Sequence, residues 1–389
     1  MDKFIYMDHA ATTPLKKEVL DEMYPYLSKI YANPSSLYAP ARLSKAAIDN
    51  ARDKLSLALN ASSREIYFTS GGSEADNLAI KGAALANKDK GNEIITSAIE
   101  HPAVLNTCKG LEKEGFKITY LPVDKNGFVS MEELKKSITD KTILVSIMFA
   151  NNEIGTIQPI KEIGELCREK KVLFHTDAVQ AAGSIPIDVK DLSIDLLSLS
   201  GHKFYGPKGI GALYVRKGIK FNPLIEGGSQ ERGKRAGTEN VACIVGLGKA
   251  IEIASHNMAE ESRRISELRD YLINGLLSIE GTSLNGSLDN RLPNNVNVSF
   301  EGLEGETLLM MLDNIGICVS SGSACSSLSL EPSHVLLSIG LSEKDAKSSV
   351  RFTLGEENSK EQIDYVVSKV KDIVERLRSI NSNWNSIRK

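Results

Sequence analysis

Between Glu93 and Val215 the chain alternates short apolar runs with amphipathic stretches, and this alternation limits the fold more than any other feature. The runs Glu93–Ser97, Lys117–Pro122, Thr142–Phe149, Val172–Thr176, Asp195–Leu199 and Gly211–Val215 have strand length. Segments with helical periodicity, such as Ser130–Ser137 and Ile160–Lys170, lie between them. Strands alternating with helices predict an α/β fold with a mostly parallel sheet covered on both faces. Ligands of such sheets bind beyond the carboxyl ends of the strands, so the residues just after each strand are the ones to read for chemistry.

From about Asn240 the pattern changes. A long helical stretch runs to about Ser278, with a weak point expected near Ser255–Asn257. Asn294–Phe300 then reads as a strand, Glu306–Asn314 as a helix and Ile317–Ser320 as a short strand. In Lys360–Ile380, Ile363, Val366, Val367, Val370, Ile373, Val374, Leu377 and Ile380 recur at helical spacing, as in a packing helix. These elements predict a smaller α+β domain with a boundary near residue 258. No repeat, low-complexity tract or long linker is found, and the polar tail Asn381–Lys389 is expected to fray.

Composition narrows the class of partner. The 389 residues carry 47 Lys+Arg and 50 Asp+Glu, a formal charge of −3, which argues against nucleic acid held on a bulk basic face. The longest nearly apolar run, Ile143 to Ala150, is too short to span a bilayer. The start, Met1-Asp2-Lys3-Phe4, has no hydrophobic signal region, so neither secretion nor membrane attachment is expected. The 5 cysteines, Cys108, Cys167, Cys243, Cys318 and Cys325, are odd in number and lack CxxC spacing. Neither a disulfide framework nor a zinc knuckle follows, and the reducing cytoplasm is the expected compartment.

Four segments bear chemistry. Ser200-Gly201-His202-Lys203 follows the strand Asp195–Leu199. A lysine there can hold a carbonyl cofactor as a Schiff base, while Ser200 and His202 can donate to a phosphate. His175-Thr176-Asp177-Ala178-Val179-Gln180 ends another strand. Asp177 there can pair with a pyridinium nitrogen, and Gln180 can reach the ring's phenolic oxygen. Ser70-Gly71-Gly72-Ser73-Glu74 precedes the apolar helix Leu78–Ala86, which suits an anion at a helix N-terminus. The segment lacks the GxxxxGK[ST] pattern of a nucleotide loop. Glu100-His101-Pro102 follows Glu93–Ser97, and His101 can stack on a ring or move protons. Each segment alone also reads as an ordinary loop, cap or core histidine. Together they are the minimum equipment of a pyridoxal 5'-phosphate (PLP) enzyme. No GxGxxG opens a helix after the first strand, which counts against a dinucleotide-binding dehydrogenase.

Over nearly its full length the chain also resembles the cysteine desulfurases, of the class V aminotransferase type with PLP fold type I. The resemblance is carried by Tyr6 to Pro14, Asn33-Pro34-Ser35-Ser36, Thr69 to Asn77, Glu100-His101-Pro102, Asn151 to Gly155, Asp177 to Gln180, Ser200 to Gly209, Arg232 to Thr238 and Arg351 to Gly355. Its most diagnostic stretch is Ser320-Ser321-Gly322-Ser323-Ala324-Cys325-Ser326-Ser327. That stretch is similar to the active-site loop of the NifS/IscS-like group, not to the RxGHHC loop of the SufS-like group.

The resemblance implies a mostly parallel seven-stranded sheet in a large PLP-binding domain, residues 14–257. It implies a smaller domain from 1–13 and 258–389, carrying a mobile loop at about 320–331. Lys203 would hold PLP and move the substrate α-proton, with Asp177 on the pyridine nitrogen, Gln180 on the phenolic oxygen and His101 over the ring. Gly72, Ser73, Ser200 and His202 would hold the phosphate. Thr238 would reach the phosphate of a neighbouring subunit, making a homodimer necessary. Asn152 would contact cofactor or substrate, and Arg351, helped by Asn33, would bind the carboxylate of L-cysteine. Cys325 would take the sulfur as a persulfide and pass it to an acceptor protein, either an iron–sulfur scaffold or a tRNA-thiolating enzyme. No metal is required, beyond transient contact of Cys325 with an iron–sulfur cluster. Gly72-Ser73 stands where Ala-Thr is commoner, and the short C-terminus leaves the acceptor's identity open. A selenocysteine lyase, another fold-type-I PLP enzyme and a non-catalytic platform of the same fold are the competing readings.

Overall fold

The computed structural model describes residues 4–321, 331–381 and 384. Its central sheet has seven strands in the order Ile66–Thr69, Gly211–Val215, Leu196–Ser200, Leu173–Asp177, Thr142–Ser146, Glu93–Ser97 and Lys117–Leu121. Gly211–Val215 runs antiparallel to both its neighbours, and every other pairing is parallel. Thr142–Ser146, Leu196–Ser200 and Gly211–Val215 are buried at every residue. Burial on both faces is why they read as continuous apolar runs rather than as alternating ones.

Five of the six expected strands lie within one residue of their expected ends. The sixth stops at Ser146 rather than Phe149. Beyond Ser146 the chain still donates from Ile147 N–H to His175 O and from Phe149 N–H to Asp177 O before turning at Asn151. The strand Ile66–Thr69 was not expected: it is four residues long and follows a capping box in which Ser62 and Glu65 satisfy each other's backbone. The helices Lys17–Ser28, Ala39–Ala58 and Pro102–Lys113 also add to the expected set.

A second sheet of three antiparallel strands, Ser349–Thr353, Asn295–Phe300 and Thr282–Leu284, has its own core. Val296, Val298 and Phe300 meet Val366, Val370 and Val374 of the helix Lys360–Ile380 in that core. A parallel pair, Ile5–Tyr6 with Ile317–Cys318, brings the chain's start to this region.

The helix Val241–Leu277 runs unbroken through Ser255–Asn257, correcting the expected weak point. Ile244, Leu247 and Ile251 pack into the core of the central sheet, whereas Ile265, Leu272 and Ile273 pack into the second core. Ser255, His256 and Asn257 are simply the polar span between two buried faces, with no Gly or Pro to interrupt the ladder. Cys318, at the end of an apolar run, is only half-buried, because strand alternation gives the buried side to Ile317. Cys108 and Cys167 are buried and Cys243 is half-buried; all four of these thiols are free.

Candidate active site

A cleft of about 430 Å3 opens beyond the carboxyl ends of the parallel strands. It gathers Gly72, Ser73, His101, Asn152, Asp177, Gln180, Ser200, His202, Lys203 and Arg351. All but Arg351, which lies within the strand Ser349–Thr353, come together because they lie at or beyond the end of a central strand or open a helix. Asn33 is not brought to the cleft: it is exposed, and its Oδ1 caps the Ser35 N–H at 2.9 Å. Thr238 also lies outside it, exposed on the segment before Val241–Leu277. Cys325 falls outside the described residues.

The strand Leu196–Ser200 runs into a single tight turn, Gly201–Lys203, which carries the lysine to the cleft. Lys203 Nζ donates to Ala10 O at 2.5 Å and to Ala11 O at 2.9 Å. Gln180 Nε2 donates to the same Ala10 O at 3.0 Å. The N-terminal turn therefore forms one wall of the cleft, facing the lysine.

The helix Gly72–Ala86 starts opposite. Gly71 has φ 155°, a conformation reserved for glycine, and no side chain caps the helix. A Cβ on Gly72 would lie 2.7 Å from Val179 Cγ2, so a larger residue here needs the Val179 side chain to shift within the Asp177–Gln180 turn. The result is a first helical turn whose free N–H groups and Ser73 hydroxyl face the cleft.

Asp177 ends its strand with Oδ1 accepting the Val179 N–H at 2.9 Å. Burial pushes its carboxyl up, while His101, that N–H and Lys203 work the other way. His101 caps the helix Pro102–Lys113 by accepting the Ala103 N–H on Nδ1 at 3.1 Å. Nδ1 is thus the unprotonated nitrogen, and Nε2 carries the hydrogen of the neutral ring. Burial lowers its basicity despite the opposing pull of Asp177. His202, which meets Thr12 Oγ1 at 3.1 Å, is lowered to about 4 by burial and then by Lys203. Both imidazoles are held neutral near pH 7.

Arg351 is 1% exposed. Its Nη2 donates to Asp8 Oδ1 at 2.8 Å and its Nη1 to Asn152 O at 3.0 Å. Asn152 itself lies in a turn held by Asn151, whose Oδ1 accepts the N–H groups of Glu153 and Ile154.

The sequence assigned no role to several other residues of the cleft, namely Asp76, Glu100, Glu153 and His334. Glu100 Oε1 accepts from Ser97 Oγ at 2.6 Å and from the Met148 N–H at 2.9 Å. Burial raises its pKa to about 8. Glu153 accepts from Ser333 Oγ at 2.5 Å, and His334 Nε2 donates to Glu100 O at 3.0 Å. Adjacency to His101 was the one sequence signal for Glu100. His334 had none.

The aminotransferase class-V family model matches residues 5–366, and the chain belongs to that family. The cysteine desulfurase IscS of Clostridium botulinum is 60% identical over 392 residues, covering 100% of this chain and 99% of that relative. The cysteine desulfurase IscS of Methanosarcina thermophila is 59% identical over 98% of this chain and 94% of its own length. Among solved structures, a NifS-like protein superposes with a TM-score of 0.91 at 40% identity, covering 96% of this chain and 100% of that one. A structure described as SspA in complex with cysteine superposes with a TM-score of 0.81 at 42% identity, covering 90% and 98%.

Proposed function

We propose that this chain is a PLP-dependent cysteine desulfurase that takes sulfur from L-cysteine, releases L-alanine and holds the sulfur as a persulfide on Cys325. One observation carries the reading: Lys203, Asp177 and an uncapped helix start enter one cleft from three elements. The cleft fits PLP on its own terms. The first turn of Gly72–Ala86, with no side-chain cap, offers its N–H groups to an anion beside Ser73. The Lys203 amine suits an aldehyde, and the buried Asp177 carboxyl suits a ring nitrogen that carries a proton.

When bound, PLP supplies an electron sink for the substrate's α-carbon. The chain's own residues do the rest. Gly72, Ser73, Ser200 and His202 bind the phosphate. Lys203 Nζ takes the α-proton, and the Ala10 and Ala11 carbonyls stabilise the ammonium that results. Asp177 keeps the ring nitrogen's proton in place, and Gln180 orients the ring from the phenolic side. His101 covers the ring as a neutral imidazole whose Nε2–H can be given and regained. Arg351 and Asn152 orient the substrate, Arg351 by its fork toward the carboxylate. The Cys325 thiolate attacks the substrate sulfur. The sulfur–sulfur bond forms as the carbon–sulfur bond breaks, with the electron pair left on carbon and protonated to give alanine.

The persulfide is passed to an acceptor thiol on an iron–sulfur scaffold or a tRNA-thiolating enzyme. The working unit is a homodimer in which Thr238 reaches the partner's phosphate. Its exposure supports this, as does the anchoring of its segment by a buried Arg52–Glu231 ion pair. The two cores support a division near residue 258, with 14–257 forming the cofactor-binding part. The cytoplasm is the proposed compartment, supported by four free thiols. Among the described residues, no helix is long and apolar enough to cross a membrane.

The test is direct. Purified protein is yellow, is bleached by borohydride and releases alanine from cysteine. Lys203→Ala loses the borohydride-sensitive colour, and a variant that keeps it overturns the cofactor assignment. Running selenocysteine beside cysteine separates the desulfurase from a selenocysteine lyase.

A further inference from the structure

Behind Asp177 lies a second acid that the reaction above does not use. Asp76 sits one helical turn beyond Gly72, at i+4, so the helix face that offers the phosphate cradle also turns Asp76 into the cleft. Asp76 Oδ1 is buried, has no hydrogen-bond partner and lies 3.7 Å from His175 Nε2. An acid in a helix–sheet contact carries a desolvation cost that Leu or Val would avoid.

The sheet beneath is equally polar. Ser198 is the register partner of Asp177 on the adjacent strand, so the two side chains share a face. His175, two residues before Asp177, is on that face as well. Its Nε2 meets Ser198 Oγ at 3.0 Å and its Nδ1 meets Ser146 Oγ at 2.8 Å. Ser146, His175 and Ser198 are fully buried. A polar row thus crosses three strands on the sheet face that Asp177 shares, and Asp76 approaches it from the helix, 3.7 Å from His175 Nε2.

We propose that Asp76 is a positioning residue for Asp177, acting through Ser198 and His175 to hold the ring-facing carboxylate under the cofactor. The inference rests on the PLP reading of the cleft. Electrostatics agree with a hydrogen-bonding role rather than a charge. Burial, then the neighbouring Asp177, pushes Asp76 well above the usual carboxylate range, with Glu100 adding to the rise and Ser198 opposing it. His175 is held neutral by burial, at about 3. The other charged groups in play are His101 and Lys203, which act on Asp177 from across the cleft.

The experiment uses full-length protein loaded with PLP. It reads the pH midpoint of the visible absorption band, the PLP retained after dialysis and the melting temperature of the cofactor-free protein. Asp76→Asn keeps the midpoint and the retention. Asp76→Leu moves the midpoint by about one pH unit and weakens retention about tenfold, with the cofactor-free melting temperature no lower than the parent's. Ser198→Ala moves the midpoint in the same direction, and adding Asp76→Leu to it moves it little further. An Asp76→Leu protein with the parent's midpoint overturns the inference, as does an Asn variant that behaves like Leu. Should Asp76→Leu fail to fold, Ser198→Ala decides, and a parent-like midpoint there overturns the inference. A parent that takes up no PLP overturns the cofactor reading itself. A yellow parent with unshifted variants overturns the role of Asp76 alone.

Discussion

Arg351 Nη2 donates to Asp8 Oδ1 at 2.8 Å, joining the eighth residue of the chain to the penultimate element at the rim of the cleft. Asp8 and the Asn152 carbonyl thereby fix the plane of the guanidinium that is proposed to meet the substrate carboxylate. Arg351→Ala is expected to raise KM for cysteine by about a hundredfold, the loss of a charge-assisted fork. Asp8→Ala leaves the charge but frees the fork, and raises KM about tenfold with kcat nearly unchanged. Steady-state kinetics of the two variants separate binding from orientation.

At Gly72 a single added methyl tests how closely the helix start packs against the Asp177–Gln180 turn. That Cβ would lie 2.7 Å from Val179 Cγ2 and 3.6 Å from Ser200 Cβ. Gly72→Ala must displace the Val179 side chain within the Asp177–Gln180 turn. The expected result is about tenfold weaker PLP retention and a destabilisation of about 1–3 kcal/mol, as for other overpacked sites. Dialysis followed by absorbance, with a denaturant titration alongside, reads both.

Glu100 gives stability a slope with pH. Its pKa rises from the usual 4.5 to about 8 in the folded chain because it is buried. Between those values the native state holds a proton that the unfolded chain has released. The glutamate's contribution to stability therefore falls as pH rises through that window and levels off above about 8. Glu100→Gln removes that part of the slope. Melting temperatures should show the variant more stable than the parent at high pH, with the advantage gone below the unfolded pKa.

The segment leading to Thr238 hangs on a buried ion pair. Arg52 Nη2 and Nη1 donate to Glu231 Oε1 and Oε2 at 2.6 and 2.8 Å, and the Phe68 N–H also donates to Oε2 at 2.9 Å. Glu231 and Arg232 have φ of 45° and 58°, a conformation that side chains rarely adopt and that these contacts hold. Breaking one partner of a buried pair costs about 3–5 kcal/mol. Arg52→Ala should lose stability on that scale in a chemical denaturation curve, and should also weaken PLP retention in the proposed dimer, where Thr238 would complete the partner's site.

What the sequence made legible follows from distance along the chain. Lys203, Asp177 and His101 stand out because each follows a run that reads as a strand, and parallel sheets put strand ends together. The strand Ile66–Thr69 is too short to show a period, and its place is set by pairing with Gly211–Val215 far away. Asp8 gave no signal of its own, since its partner lies 343 residues on. Asp76 was hidden within a glycine-rich motif, and its role depends on which helix face meets the sheet. The broken helix expected at Ser255–Asn257 failed for a related reason: polar residues there mark a passage between two cores, not a break. Asn33 and Thr238 are exposed and do not line this chain's own cleft.

The central claim is that Cys325 carries the sulfur. Protein incubated with L-cysteine, alkylated without reductant and digested should yield a Cys325 peptide bearing one added sulfur, formed in step with alanine. Cys325→Ser should keep the yellow colour and lose that peptide and the sulfur passed to an acceptor thiol. Undiminished sulfur transfer by Cys325→Ser, or the added sulfur found on Cys108, Cys167, Cys243 or Cys318 instead, would contradict the account.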